Sequence, residues 1–144
     1  MDRVRRLVFL AFGLYLAVAA YLVFWPQPDT PSGAVEELVD ALGSVGITFV
    51  SGTVIEFALN VALFVPLTLF GVLLWPRVNP LQWVFLGIAA TVTIEFVQLA
   101  ALPDRSATLS DLVSNSLGAM IGVDLGLRLR WWGERRASRA TTSR

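Results

Sequence analysis

The residues of this chain that can do chemistry are few, and they recur at helical spacing. Glu56 and Asn60 stand four apart, Glu95 and Gln98 three apart, and Asp111 and Asn115 four apart. At 3.6 residues per turn each pair lies on one face of its helix. Asp104 and Arg105 fall between the second and third pairs. A carboxyl withdrawn from water can serve as general acid or base. An arginine fork can hold a phosphate, pyrophosphate or carboxylate at two points. The chain has no histidine and no cysteine. This excludes a Ser-His-Asp triad, an imidazole base, thiol chemistry, disulfides and Cys- or His-ligated metal. Carboxylates alone can hold a hard cation, but no spacing here singles out such a site, so neither metal nor cofactor is expected.

The elements that position these groups follow from composition. Of 144 residues, 56% are apolar and only 15% charged, against about a quarter charged in soluble domains. That excludes an ordinary soluble enzyme and a disordered chain, and points to a membrane. Four apolar stretches cover about 7–25, 53–75, 81–101 and 112–132. At about 1.5 Å per residue each is long enough for a hydrocarbon core of about 30 Å, and only a helix satisfies its own backbone there. The expected fold is all-α: an integral membrane four-helix bundle in one domain over 1–132, followed by a disordered basic cytoplasmic tail over 133–144.

Charge placement sets the expected orientation. Arg3, Arg5, Arg6, Arg77, Arg128, Arg130, Arg135, Arg136, Arg139 and Arg144 all fall on one side of a four-helix topology, and only Arg105 falls on the other. By the positive-inside bias both termini are cytoplasmic. Trp25, Trp75, Trp83, Trp131 and Trp132 lie at the expected helix ends, where amphipathic rings settle. Met1–Arg6, the apolar run and Ala17-Val18-Ala19 also resemble a cleavable signal peptide. The run to Trp25 is nevertheless long enough to span. The tail arginines suit anionic headgroups, not nucleic acid.

Between the first two spans, Pro26, Pro28 and Pro31 suggest an extended or turn-like start. Val35, Leu38, Val39 and Leu42 then follow the spacing of an amphipathic helix. A short extracytoplasmic segment resting on the other helices, as lid or gate, is expected. Pro66 should kink the second span. Gly118, Gly122 and Gly126 form a stripe that permits close helix approach, inside the bundle or between two copies as a homodimer. Asp124 and Arg128 are spaced for an ion pair.

In this topology Glu56, Glu95 and Asp111 fall at similar depth in the outer half of the membrane. A charge at the centre of a spanning helix costs about 2.5–3.5 kcal/mol, so such groups turn inward or stay neutral. Glu56, Asn60, Glu95, Gln98, Asp104, Arg105, Asp111 and Asn115 are the candidate ligand-binding residues. Glu56, Glu95 and Asp111 are the candidate acids or bases if the protein is an enzyme. The structural alternative makes the amides interhelical hydrogen-bonding groups.

The ordered blocks Glu56-Phe57-Ala58-Leu59-Asn60, Leu63-Phe64-Val65-Pro66-Leu67, Ile94-Glu95-Phe96-Val97-Gln98, Pro103-Asp104-Arg105 and Asp111-Leu112-Val113-Ser114-Asn115-Ser116-Leu117-Gly118 resemble the VanZ-like family of bacterial membrane proteins. Thr68 and Asp104 stand where the family often has glycine, and Ser110 where it often has a second acidic residue. The resemblance implies a multi-pass protein of the bacterial cytoplasmic membrane. In some members it implies reduced susceptibility to teicoplanin-type glycopeptide antibiotics. It supplies no mechanism. The leading functional expectation is that the cluster binds an anionic envelope lipid, a lipid-linked cell-wall precursor or a glycopeptide. The alternatives are an enzyme acting on lipid phosphate or glycosyl bonds, and a structural or assembly protein. Four helices without an internal repeat leave little room for a transporter.

Overall fold

The computed structural model describes residues 3–24, 29–101 and 108–142. Among these the chain is all-α, with five helices: α1 (Arg3–Phe24), α2 (Asp29–Ser44), α3 (Gly52–Leu74), α4 (Pro80–Ala101) and α5 (Leu109–Thr142). Helices α1, α3 and α4 are long and apolar enough to cross a membrane. The expected fourth span, 112–132, forms part of α5, which does not meet that standard of length and hydropathy. The physical reason is visible in its first half, where Asp111, Ser114, Asn115, Ser116, Gly118, Gly122 and Asp124 replace the leucines and phenylalanines of the other helices.

Side-chain contacts fix the helix directions. Down α5, Gly118, Gly122 and Gly126 meet Val61, Val65 and Val72 of α3 in rising order, so these helices run parallel. Asn115 meets Thr91, and Ala119 meets Gly87, so α4 runs opposite to α5. Phe9 meets Trp75 and Phe12 meets Phe70, while Tyr15 meets Leu63, so α1 runs opposite to α3. Helices α1, α3, α4 and α5 therefore alternate in direction, and the described arginines collect at one end. Helix α3 holds the centre: its longest seam is with α5, and α1 and α2 also rest on it.

The α3–α5 seam is built from small residues. A Cβ on Gly118 or Gly122 would collide with the backbone carbonyl oxygen of Val61 or Val65. One on Gly126 would fall 2.9 Å from Val72 Cβ. The hydroxyl of buried Thr68 donates to the Ala119 carbonyl across this seam at 2.8 Å. The glycine stripe is thus filled by α3 of the same chain and needs no second copy to cover it. Outward positions carry the large apolar groups, among them Phe85 and Phe96, while Thr68, Thr91 and Ser114 are buried. Small and polar inside with large and apolar outside is the arrangement that packs helices in lipid.

Helix α3 starts at Ser51, whose side chain accepts from the Val54 amide, the usual role of an N-cap serine. It continues through Pro66, whose ring removes one backbone bond. The Tyr15 hydroxyl of α1 donates to the Leu63 carbonyl and lies against the Leu67 amide, bracketing that proline. A side chain entering the ladder in this way is a recognised origin of helix bending.

Three expectations are corrected. The 133–142 segment is helical, a direct continuation of α5, because arginine, glutamate and alanine favour helix and Gly133 alone does not stop it. Trp131 and Trp132 consequently fall inside α5, not at its end. The outer segment is already helical at Asp29. Pro31 sits in its first turn, where the missing N–H is unneeded, and Val35 is buried against α3 beside Gly52. Trp25, Pro26 and Pro28 lie outside the described residues, as does Arg144. The Asp124–Arg128 pair forms as expected at 2.7 Å.

The seam makes a direct prediction. Gly122→Ala should destabilise the protein by about 1–3 kcal/mol through overpacking. Gly13→Ala, where a Cβ meets nothing within 4 Å, should be neutral or stabilise by up to about 1 kcal/mol. Unfolding midpoints in detergent compare them; equal midpoints would contradict the seam.

Candidate functional site

The polar residues concentrate at the end of the molecule opposite the arginines, where α3 and α5 begin and α4 ends. Asp111 is the node. Its position in the first turn of α5 suits a carboxylate, because that helix end carries positive partial charge. Thr108 is the cap: its hydroxyl accepts from the Asp111 amide at 3.1 Å and donates to Asp111 Oδ2 at 2.8 Å. Oδ2 also accepts from the Thr108 amide at 3.3 Å. This reciprocal pairing is a capping box with aspartate in the acidic position. The other oxygen, Oδ1, accepts from Asn60 Nδ2 of α3 at 2.7 Å. One carboxylate therefore starts α5 and ties it to α3.

One turn further along α5, Asn115 is buried and donates through Nδ2 to Thr91 Oγ1 of α4 at 2.8 Å. Beyond it comes the Thr68–Ala119 bond already described. Near the C-terminal end of α4, buried Gln98 donates to the Val23 carbonyl of α1 at 3.1 Å. Each of the three expected amides thus bonds to a different neighbouring helix. That is the interhelical role expected of Asn and Gln in an apolar medium.

The carboxyls divide differently. Glu95 lies one turn from Thr91 on α4. Among the described residues its Oε2 is buried without a hydrogen-bond partner, and so is Oδ1 of Asn115. Buried acceptors are normally satisfied, so these two oxygens are the unspent hydrogen-bonding capacity of the layer. Glu56 shares a face with Asn60 but is exposed and makes no hydrogen bond or ion pair with a described residue. It stands apart from the hydrogen-bonded layer. Asp104 and Arg105 lie outside the described residues, in the stretch joining α4 to α5. No three acidic side chains converge among the described residues.

Thr108, Thr91, Thr68 and Tyr15 were not among the expected site residues. Thr108 had a readable signal, the Thr-x-x-Asp spacing directly before an apolar run. The other three had none, because a lone hydroxyl in an apolar helix has the same local sequence whether it faces a neighbour or lipid.

A family model, VanZ/LLP1, matches residues 12–130. The chain belongs to the VanZ/LLP1 family. The match runs from α1 through most of α5, so it takes in every candidate site residue. No curated protein and no solved structure matches the chain. Family membership and three span-length apolar helices together make this a membrane protein of VanZ type.

A double-mutant cycle tests the node. Asn60→Ala and Asp111→Ala should each destabilise the protein, with a coupling of about 0.6–2 kcal/mol between them. Glu56→Gln should stay within about 0.5 kcal/mol of wild type. Zero coupling would show that the Asn60–Asp111 bond does not hold α3 to α5.

Proposed function

We propose that this VanZ/LLP1 protein crosses the bacterial cytoplasmic membrane with α1, α3, α4 and α5, both termini inside. In its outer half it binds an anionic amphiphile of the cell envelope: an envelope lipid, a lipid-linked cell-wall precursor or a glycopeptide antibiotic. The orientation rests on the gathering of the described arginines at one end, the positive-inside pattern. It puts the polar layer on the extracytoplasmic side.

The observation that carries the ligand reading is the buried, unpartnered Glu95 oxygen. The surrounding amides are engaged between helices. Glu95 Oε2 and Asn115 Oδ1 are left as acceptors for a sugar hydroxyl or an amide N–H. Sugar-peptide amphiphiles carry both kinds of donor. Arg105, in the α4–α5 connection three residues before Thr108, would hold the phosphate or carboxylate of such a ligand.

The structural reading is favoured by a separate observation, the pairing of Asn60, Gln98 and Asn115 across helices. The two readings apply to different residues: the amides assemble the layer and Glu95 serves the ligand. The enzyme reading has less support. Asp111 has both oxygens engaged and Glu56 stands exposed, which leaves Glu95 without a free second carboxyl beside it.

Gentle purification followed by mass spectrometry of co-purifying lipids tests the proposal. Wild type should retain a specific anionic isoprenoid or glycolipid. Arg105→Ala and Glu95→Gln, folded as wild type, should retain about tenfold less, the scale of one lost hydrogen bond to a charged group. The same bulk lipids at the same level in all three proteins would overturn it.

A further inference from the structure

The opposite end of the molecule holds a second feature. A concavity of about 610 Å³ opens between the α3–α4 turn and α5. Pro76 and Pro80 form one wall, and Leu127, Arg128, Arg130 and Trp131 form the other. Arg77 lies between the two prolines in sequence. The guanidinium of Arg135 stacks on the Trp131 ring at 3.5 Å, next to the opening. These residues mark the level at which α3 ends and α4 begins, and the Trp75 and Trp83 rings meet there at a tilt of 38°, centroids 5.7 Å apart.

We infer that this concavity binds the headgroup of an anionic phospholipid of the leaflet on the arginine side. Its placement matches that of a headgroup, since the apolar lengths of α3 and α4 terminate there. Basic pockets between helices at the cytoplasmic surface are suited to anionic headgroups. The chemistry divides among the residues. Arg128 is engaged through Nε by Asp124, and the pair positions that guanidinium at the rim. Arg130 makes no ion pair with a described residue and is the phosphate ligand. Trp131, Leu127 and the two prolines offer an apolar floor for the glycerol and upper acyl carbons. Glu134 also lines the space and opposes an anion. Arg77, Arg128, Arg130 and Arg135 outnumber Asp124 and Glu134, so the surroundings remain net positive.

This site is separate from the layer around Glu95, and its test turns on Arg130 and Glu134, which the other site does not use. The full-length protein in detergent is titrated with a short-chain phosphatidylglycerol and with the matching phosphatidylcholine. Tryptophan fluorescence reports occupancy, and native mass spectrometry counts bound lipid. Phosphatidylglycerol should bind the more tightly, with a change in tryptophan emission. Arg130→Gln should weaken it about tenfold, and Glu134→Gln should strengthen it. Equal binding of the two lipids would overturn the inference, as would undiminished binding by folded Arg130→Gln. Displacement of the lipid by millimolar inorganic phosphate would overturn the lipid as occupant.

Discussion

The close contact of α3 with α5 is the constraint on which the other contacts depend. In lipid, apolar surface gains little from leaving one apolar neighbour for another, so helices associate through tight packing and interhelical hydrogen bonds. Gly118, Gly122 and Gly126 meet that requirement by letting α5 approach the backbone of α3. At that separation the Thr68 hydroxyl reaches the Ala119 carbonyl, and Asn60 reaches Asp111 two turns above. A wider seam would leave both donors buried and unsatisfied, which is costly in a medium without water. Glycine spacing and hydrogen bonding are therefore one device: the first sets the distance that the second needs.

That device also decides which polar residues are free for a ligand. Three helix-to-helix amide bonds and the Thr108–Asp111 cap consume most of the polar groups at the outer end. Asp111 is the most heavily used, with bonds to its own helix start and to α3. Glu95 is held by none of these bonds, yet it lies on α4 between Thr91 and Gln98, which both take part in them. Rigid surroundings and an uncommitted acceptor are what a preorganised binding group needs.

The sequence disclosed much of this, unevenly. Apolar run lengths located α1, α3 and α4 because the membrane imposes a length on every span. The pairs Glu56/Asn60, Glu95/Gln98 and Asp111/Asn115 were legible because helical period fixes faces. Which face points inward is a matter of assembly, and there the pairs separated: Asn60 turned toward α5 while Glu56 stayed exposed. The segment 133–142 was misread through composition. Arginines and serines suggested a solvated tail, but the same arginines are good helix formers, and α5 already supplied the nucleus that a short helix otherwise lacks. Thr91 and Thr68 were missed because their partners, Asn115 and Ala119, lie on another helix.

The asymmetry along the helix axis ties these observations together. One end carries the interhelical amides and the carboxyls; the other carries the described arginines, the aromatic cluster of Phe9, Phe12, Trp75 and Trp83, and the concavity beside Trp131. The glycine seam lies between them. The register of α3 against α5 links the two ends, and backbone contact at Gly118 and Gly122 opposes its sliding. A glycine seam sterically matched to one register is a rigid spacer. The two ends are therefore held at a fixed separation along the helix axis.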